Sequence, residues 1–144
     1  SIQIKDNDEQ AASASADGSC IIWDLKNFTR LIACFESTLF KQVVYHPDGN
    51  QLLTTGSNRK ITYWDAIDGQ AIRMVDGSED GEVNTLAIAA EGQHFVSGGE
   101  DKLVKVWGYD EGLCAFIGLG HSGGIMKAVF SPDQKSIVSV GAEG

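Results

Sequence analysis

Gly18-Ser19-Cys20-Ile21-Ile22-Trp23-Asp24, Arg59-Lys60-Ile61-Thr62-Tyr63-Trp64-Asp65 and Lys102-Leu103-Val104-Lys105-Val106-Trp107-Gly108 are three copies of one short strand pattern. Their tryptophans stand 41 and 43 residues apart. Six residues before each tryptophan is a turn-forming polar residue, Asp17, Asn58 or Asp101. Side chains of this kind bond their own backbone two residues on and tolerate left-handed geometry, which suits a tight hairpin. Four residues earlier again comes a small hydroxyl, Ser13, Thr54 or Ser97, and a fourth copy opens with Ser139 and Glu143.

Working outward, an alternating apolar segment that ends in a turn precedes each hydroxyl: Val43-Val44-Tyr45 to Gly49, Leu86-Ala87-Ile88 to Gly92, and Ala128-Val129-Phe130 to Asp133. The first copy begins inside this segment, at Ile2-Gln3-Ile4. A weaker strand follows each tryptophan, at Leu31 to Phe35, Ala71 to Val75 and Leu113 to Ile117. Four short strands in a period of about 42 residues make one propeller blade. The spacing therefore predicts an all-β propeller fragment of about three and a half four-stranded blades, with repeats at about 1–36, 37–79, 80–121 and an incomplete 122–144. Helical repeat arrays share this period but need long segments of 3.6-residue periodicity, and glycine or proline interrupts nearly every window of ten.

The strands before each tryptophan are apolar on both parities, as sheets stacked between neighbours require. Thr62 and Lys105 are exceptions on the tryptophan parity and predict that this face is wet at one edge. Closed propellers have 4–8 blades, so further repeats, or a second copy of the fragment, are expected to complete the ring.

The 144 residues carry 11 Lys+Arg against 20 Asp+Glu, a formal charge of −9. Such a surface repels phosphate at long range, so nucleic acid and anionic membrane are not expected partners. Cys20, Cys34 and Cys114 lack any C-x-x-C pair, which predicts neither a disulfide framework nor zinc, and fits a reducing compartment. No apolar run approaches the roughly 20 residues of a membrane span, and a soluble cytoplasmic protein is expected. No cofactor is predicted. Asp6 to Glu9 lacks the glycine and final glutamate of a calcium loop, and Gly98 to Lys102 lacks a phosphate-loop context, so both read as hairpin turns. His46, before Pro47, reads as a surface residue, and Asn27-Phe28-Thr29 as a chance sequon. No nucleophile elbow occurs, so no catalytic residue is assigned and an enzyme is not expected.

The registered hydroxyl, turn acid and Trp-Asp dipeptide resemble WD40 repeats along essentially the whole chain. In that family a histidine from a Gly-His pair, the hydroxyl, the turn acid and the tryptophan form a relay that locks each blade. The resemblance implies structural roles for Ser13, Asp17, Trp23, Asp24, Thr54, Asn58, Trp64, Asp65, Ser97, Asp101, Trp107, His121, Ser139 and Glu143. Only Gly120-His121 supplies the histidine; Glu36 and Glu79 occupy the matching positions, and Asn58, Glu143 and Gly108 also depart from the pattern. The family binds partners through residues just before the turn acid, here Ala16, Ser57, Glu100 and Ala142, of which Ser57 and Glu100 are polar.

More narrowly, Thr38-Leu39-Phe40, Val44-Tyr45-His46-Pro47, Asp68-Gly69, Phe95-Val96-Ser97-Gly98-Gly99, Leu103 to Trp107 and Gly120-His121-Ser122-Gly123 resemble the C-terminal blades of WD-repeat proteins of motile cilia and flagella. That likeness implies a microtubule inner protein of the axoneme, with tubulin and other axonemal proteins as partners. Tubulin is acidic, so Lys41, Arg59, Lys60 and Lys127 would have to face it. The rival expectation is a cytosolic adaptor, a ubiquitin-ligase substrate receptor or signalling scaffold.

Overall fold

Short runs of β-branched and aromatic residues, most of them closed by an Asx-type turn, fold as antiparallel ribbons. The computed structural model describes residues 1–143, and no helix occurs among them. The first sheet is built of β1 (Ile2–Ile4), β2 (Gln10–Ala14), β3 (Ser19–Asp24) and β4 (Thr29–Phe35) in chain order. The second contains β5 (Phe40–Tyr45), β6 (Gln51–Gly56), β7 (Lys60–Asp65) and β8 (Ala71–Asp76). The third contains β9 (Val83–Ile88), β10 (His94–Gly99), β11 (Val104–Gly108) and β12 (Cys114–Gly118). β13 (Ile125–Phe130) and β14 (Ile137–Gly141) form a two-stranded fourth sheet.

The turn residues act as their chemistry requires. Asp17 Oδ1 accepts from the Ser19 N–H at 2.9 Å, Asn58 Oδ1 from Lys60 at 3.2 Å and Asp101 Oδ1 from Leu103 at 3.2 Å. The next residue is left-handed in each copy: Gly18, Arg59 and Lys102 have φ of 85°, 66° and 66°. Only the first copy uses glycine there, so the other two hold a strained backbone through the capping bond. Just before each tryptophan, at Ile22/Trp23, Tyr63/Trp64 and Val106/Trp107, the pairing of the third strand with the fourth slips in register. Such an irregularity bends the strand and re-aims the following side chain.

The sheets stack face to face. Between the first and second lie Ala12, Cys20, Ile22 and Cys34 against Val43, Leu52 and Trp64. Between the second and third lie Leu53, Ile61 and Tyr63 against Leu86, Phe95 and Trp107. The Phe95 and Trp107 rings stack at 5.8 Å. The innermost strands β5, β9 and β13 pack side by side, whereas the outer strands β8 and β12 are largely exposed. This is the stacked-blade fragment that the tryptophan spacing predicts. The outermost faces, carrying Ile2 and Ile4 at one end and Val138 and Val140 at the other, are exposed.

One sequence expectation fails here. Thr62 and Lys105 do not mark a wet edge: both are buried. Thr62 hydrogen-bonds to Glu36, and the Lys105 ammonium meets the Asp101 carboxylate, so polarity at these positions reports partners rather than water.

Candidate functional site

Each tryptophan indole N–H donates to the hydroxyl ten residues earlier, at 2.8 Å in all three copies: Trp23 to Ser13, Trp64 to Thr54 and Trp107 to Ser97. This bond ties the third strand of a sheet to the second. Asp24 Oδ1 then accepts from the N–H groups of Lys26 and Asn27, and Asp65 Oδ1 from Ile67 and Asp68, which caps the turn into the fourth strand. Gly108 has no side chain for this purpose; the Glu111 carboxylate occupies the adjacent space instead.

The connection entering each later sheet is pinned to that sheet's hairpin by a different chemistry. Before the second sheet, the Glu36 carboxylate accepts from Asn58 Nδ2 at 2.6 Å and Thr62 Oγ1 at 3.0 Å. Before the third, Glu79 is exposed and takes no such part. Here the hairpin reaches back: Lys105 Nζ donates to Asp101 Oδ2 at 2.7 Å and to the Gly77 carbonyl at 3.0 Å. Before the fourth, His121 Nδ1 donates to the Glu143 carboxylate, and its Nε2 lies 2.8 Å from Ser139 Oγ. Carboxylate, ammonium and imidazole thus perform one mechanical task.

Partners hold several of these carboxyls below their ordinary range. The Ser19 hydroxyl and N–H lower Asp17, the Asn27 amide groups lower Asp24, Lys60 lowers Asp76, the Ser131 hydroxyl lowers Asp133 and His121 lowers Glu143. A carboxyl depressed in the folded state stabilises it above the unfolded pKa, near about 4, and that contribution disappears as pH falls through the lower folded values. The urea midpoint should therefore be flat from neutral pH to about 5 and drop below about 4. A midpoint unchanged down to about pH 2 would show that these bonds do not stabilise the fold.

The residues proposed from sequence as partner contacts are engaged internally. Ser57 Oγ accepts from the Leu39 N–H at 2.9 Å, and Glu100 Oε1 accepts from Asn84 Nδ2 at 2.8 Å. Lys41 pairs with Glu82 at 2.7 Å and Lys60 with Asp76. Arg59 donates to the Glu79 carbonyl and Lys127 to the Gln42 side chain, both neutral acceptors. Lys41 lies on β5 and Lys127 on β13, while Arg59 and Lys60 sit at the β6–β7 turn. A groove of 450 Å³ runs along the inner strands, walled by Gln3, Gln42, Tyr45, Leu86 and Lys127 among others. No group of three or more potential metal-ligating side chains occurs among the described residues.

Sequence reasoning missed an aromatic clasp between the second and third sheets. Arg73 lies 4.1 Å over the Tyr63 ring and donates to the carbonyls of Tyr109 and Asp110. Tyr63 Oη donates to the Tyr109 carbonyl at 3.0 Å, and Tyr109 Oη to Gln51 Oε1 at 2.6 Å. His46 belongs to this clasp and is no plain surface residue: its ring lies 4.4 Å from that of Tyr109, and Nε2 donates to the Gly92 carbonyl at 3.1 Å. The only sequence signal was the aromatic at position 109, two residues past the tryptophan.

The sequence matches the repeat described as WD domain, G-beta repeat over residues 1–24, 31–65 and 69–108. It is 57% identical over 143 residues to cilia- and flagella-associated protein 52 of Chlamydomonas reinhardtii and 49% identical over 143 residues to that of Sus scrofa. Both alignments take in 99% of the chain, which spans 23% of each relative. A serine-threonine kinase receptor-associated protein of Dictyostelium discoideum is 29% identical over 123 residues, 85% of the chain and 41% of that protein.

Proposed function

Because the chain belongs to the WD40 repeat family, we propose that it is part of a non-catalytic scaffold of cilia and flagella, a structural microtubule inner protein. The observation that carries this reading is the degree of identity. The WD40 frame alone accounts for about the level shared with the kinase-receptor-associated protein, 29%, whereas identity to the ciliary relatives is 49–57% over nearly the whole chain.

The chemistry agrees with a scaffold. The hydroxyls and acids that could be mistaken for a catalytic set are committed to holding strands and connections together. What remains for partners is surface. Tubulin and other axonemal proteins are the proposed partners, and of the four basic candidates Arg59 and Lys127 are the two that form no salt bridge among the described residues. A net charge of −9 makes long-range attraction to such a filament unfavourable, so retention depends on close fit.

The test is location. Motile cilia are fractionated, the doublets are washed with high salt, and the protein is followed by immunoblot. It is expected to stay with the salt-washed doublets. Release by mild salt, or comparable abundance in cells without cilia, would favour a cytosolic adaptor instead.

A further inference from the structure

Cys20 and Cys34 are 14 positions apart in sequence, yet the β3–β4 pairing sets them directly opposite each other, flanked by the pairs Ser19 with Phe35 and Ile21 with Ala33. Directly opposed antiparallel residues have Cα atoms about 4.5–5.5 Å apart. That falls within the roughly 4.4–6.8 Å that a disulfide spans. The Cβ atoms of opposed residues, however, stand about 4.5–5.5 Å apart, beyond the roughly 3.5–4.5 Å that the bond takes, so closing it requires β4 to shift toward β3. Opposed residues also point to one face, and both side chains are buried in the layer between the first and second sheets. Both are thiols in the structure.

Residues of the second sheet lie over them. Tyr45 of β5 shares their buried cluster, and its hydroxyl is buried without a hydrogen-bond partner. The turn at Gly69, between β7 and β8, lies over Ile32 and Cys34: a Cβ built on Gly69 would stand 2.5 Å from Ile32 Cγ2 and 3.4 Å from Cys34 Sγ. β4 itself, an outer strand with Leu31 and Phe35 exposed, is held in its sheet by β3 alone.

We propose that Cys20 and Cys34 are a gated redox pair, which closes to a cross-strand disulfide when the first and second sheets part and thereby staples β4 to β3. Burial supports the gating. It pushes the Cys20 thiol up to about 12 and the Cys34 thiol up to about 11, so neither forms the reactive thiolate while the sheets are closed. Opening removes the Tyr45 and Gly69 cover and returns both thiols to water.

The chemistry needs a small-molecule disulfide, for which oxidised glutathione is the probe. One cysteine loses its proton to solvent and attacks a glutathione sulfur, forming a mixed disulfide and releasing one glutathione thiolate. The facing cysteine then loses its proton and attacks the protein sulfur of that mixed disulfide, releasing the second. The protons lost re-protonate the two leaving thiolates. Two cysteine thiols are oxidised to one disulfide, and oxidised glutathione is reduced to two thiols.

The experiment exposes the purified protein to excess oxidised glutathione at a series of urea concentrations below the unfolding transition. Aliquots are quenched in acid, alkylated, digested and analysed by mass spectrometry. The expected product is a peptide pair joined through Cys20 and Cys34, at a rate that climbs several-fold with urea. Cys114, exposed on β12, should become a mixed disulfide at a nearly urea-independent rate. Cys34→Ala should leave Cys20 as a mixed disulfide only. The oxidised protein should melt about 5–10 °C higher than the reduced one, because the staple constrains the unfolded chain. Stable glutathionylation of Cys20 or Cys34 without the cross-link, a cross-link to Cys114, or a cross-linking rate indifferent to urea would overturn the proposal.

Discussion

Lys105→Met is expected to destabilise the protein by about 3–5 kcal/mol, the cost of leaving a buried carboxylate without its partner. The two side chains are 8% and 6% exposed, so solvent does not screen the pair or rescue Asp101 once the ammonium is gone. The Gly77 carbonyl, on the connection into the third sheet, loses its donor as well. Lys105→Met combined with Asp101→Asn should recover most of this loss, because the uncompensated charge disappears and Asn keeps the bond that caps the turn. The second sheet already supports the exchange: Asn58 holds the corresponding turn with Oδ1 at 3.2 Å from the Lys60 N–H. Urea unfolding of wild type, both single variants and the double variant gives the coupling energy. If the double variant loses as much as the two single variants added together, the pair is not coupled and the assigned role of Lys105 is wrong.

The same residue shows where sequence reading stops. The blades were legible because their marks are local and periodic: tryptophan, the hydroxyl ten residues earlier and the turn acid between them recur in register, and each bond they make lies within one hairpin. What pins a connection to the next sheet is neither periodic nor of one chemistry. Glu36 was read as a missing histidine and Lys105 as a wet edge, since a polar residue at an apolar position carries no label saying which partner neutralises it. Glu36 reaches Thr62 across 26 positions, and Lys105 reaches back 28 to Gly77.

His46 was misjudged, and the facing of Cys20 and Cys34 went unseen, for a related reason. The residues facing them lie on other strands, and strand pairing or sheet stacking had to be known first. His46 meets Tyr109 and Gly92 from the third sheet. Cys20 meets Cys34 only because β4 runs back along β3 in one register. The basic residues proposed as filament contacts were chosen by sign alone, and two of the four turned out to be neutralised by carboxylates brought near by the fold.

The tryptophans that reveal the repeat should not be equal in weight. Trp64 is 3% exposed and packs against the first sheet, with Phe40 edge-on at 6.4 Å, so Trp64→Ala removes a fully packed indole and empties its site. Loss of a buried aromatic of this size costs about 3–5 kcal/mol from lost transfer energy and the residual cavity. The partner hydroxyl Thr54 is itself 1% exposed and would be left without its donor, which pushes the cost toward the upper end. Trp23 makes the same 2.8 Å bond to Ser13 but is 37% exposed, because it lies on the face of the first sheet that none of these four sheets covers. In the 144-residue chain by itself, solvent can fill the space that Trp23→Ala vacates and hydrate Ser13, so that substitution should cost less than half as much there. Thermal or urea unfolding of the two variants side by side decides the matter. Equal losses would mean that the indole–hydroxyl bond, identical in both, dominates; the expected inequality places the stabilisation in sheet-on-sheet burial, which is what holds one blade to the next.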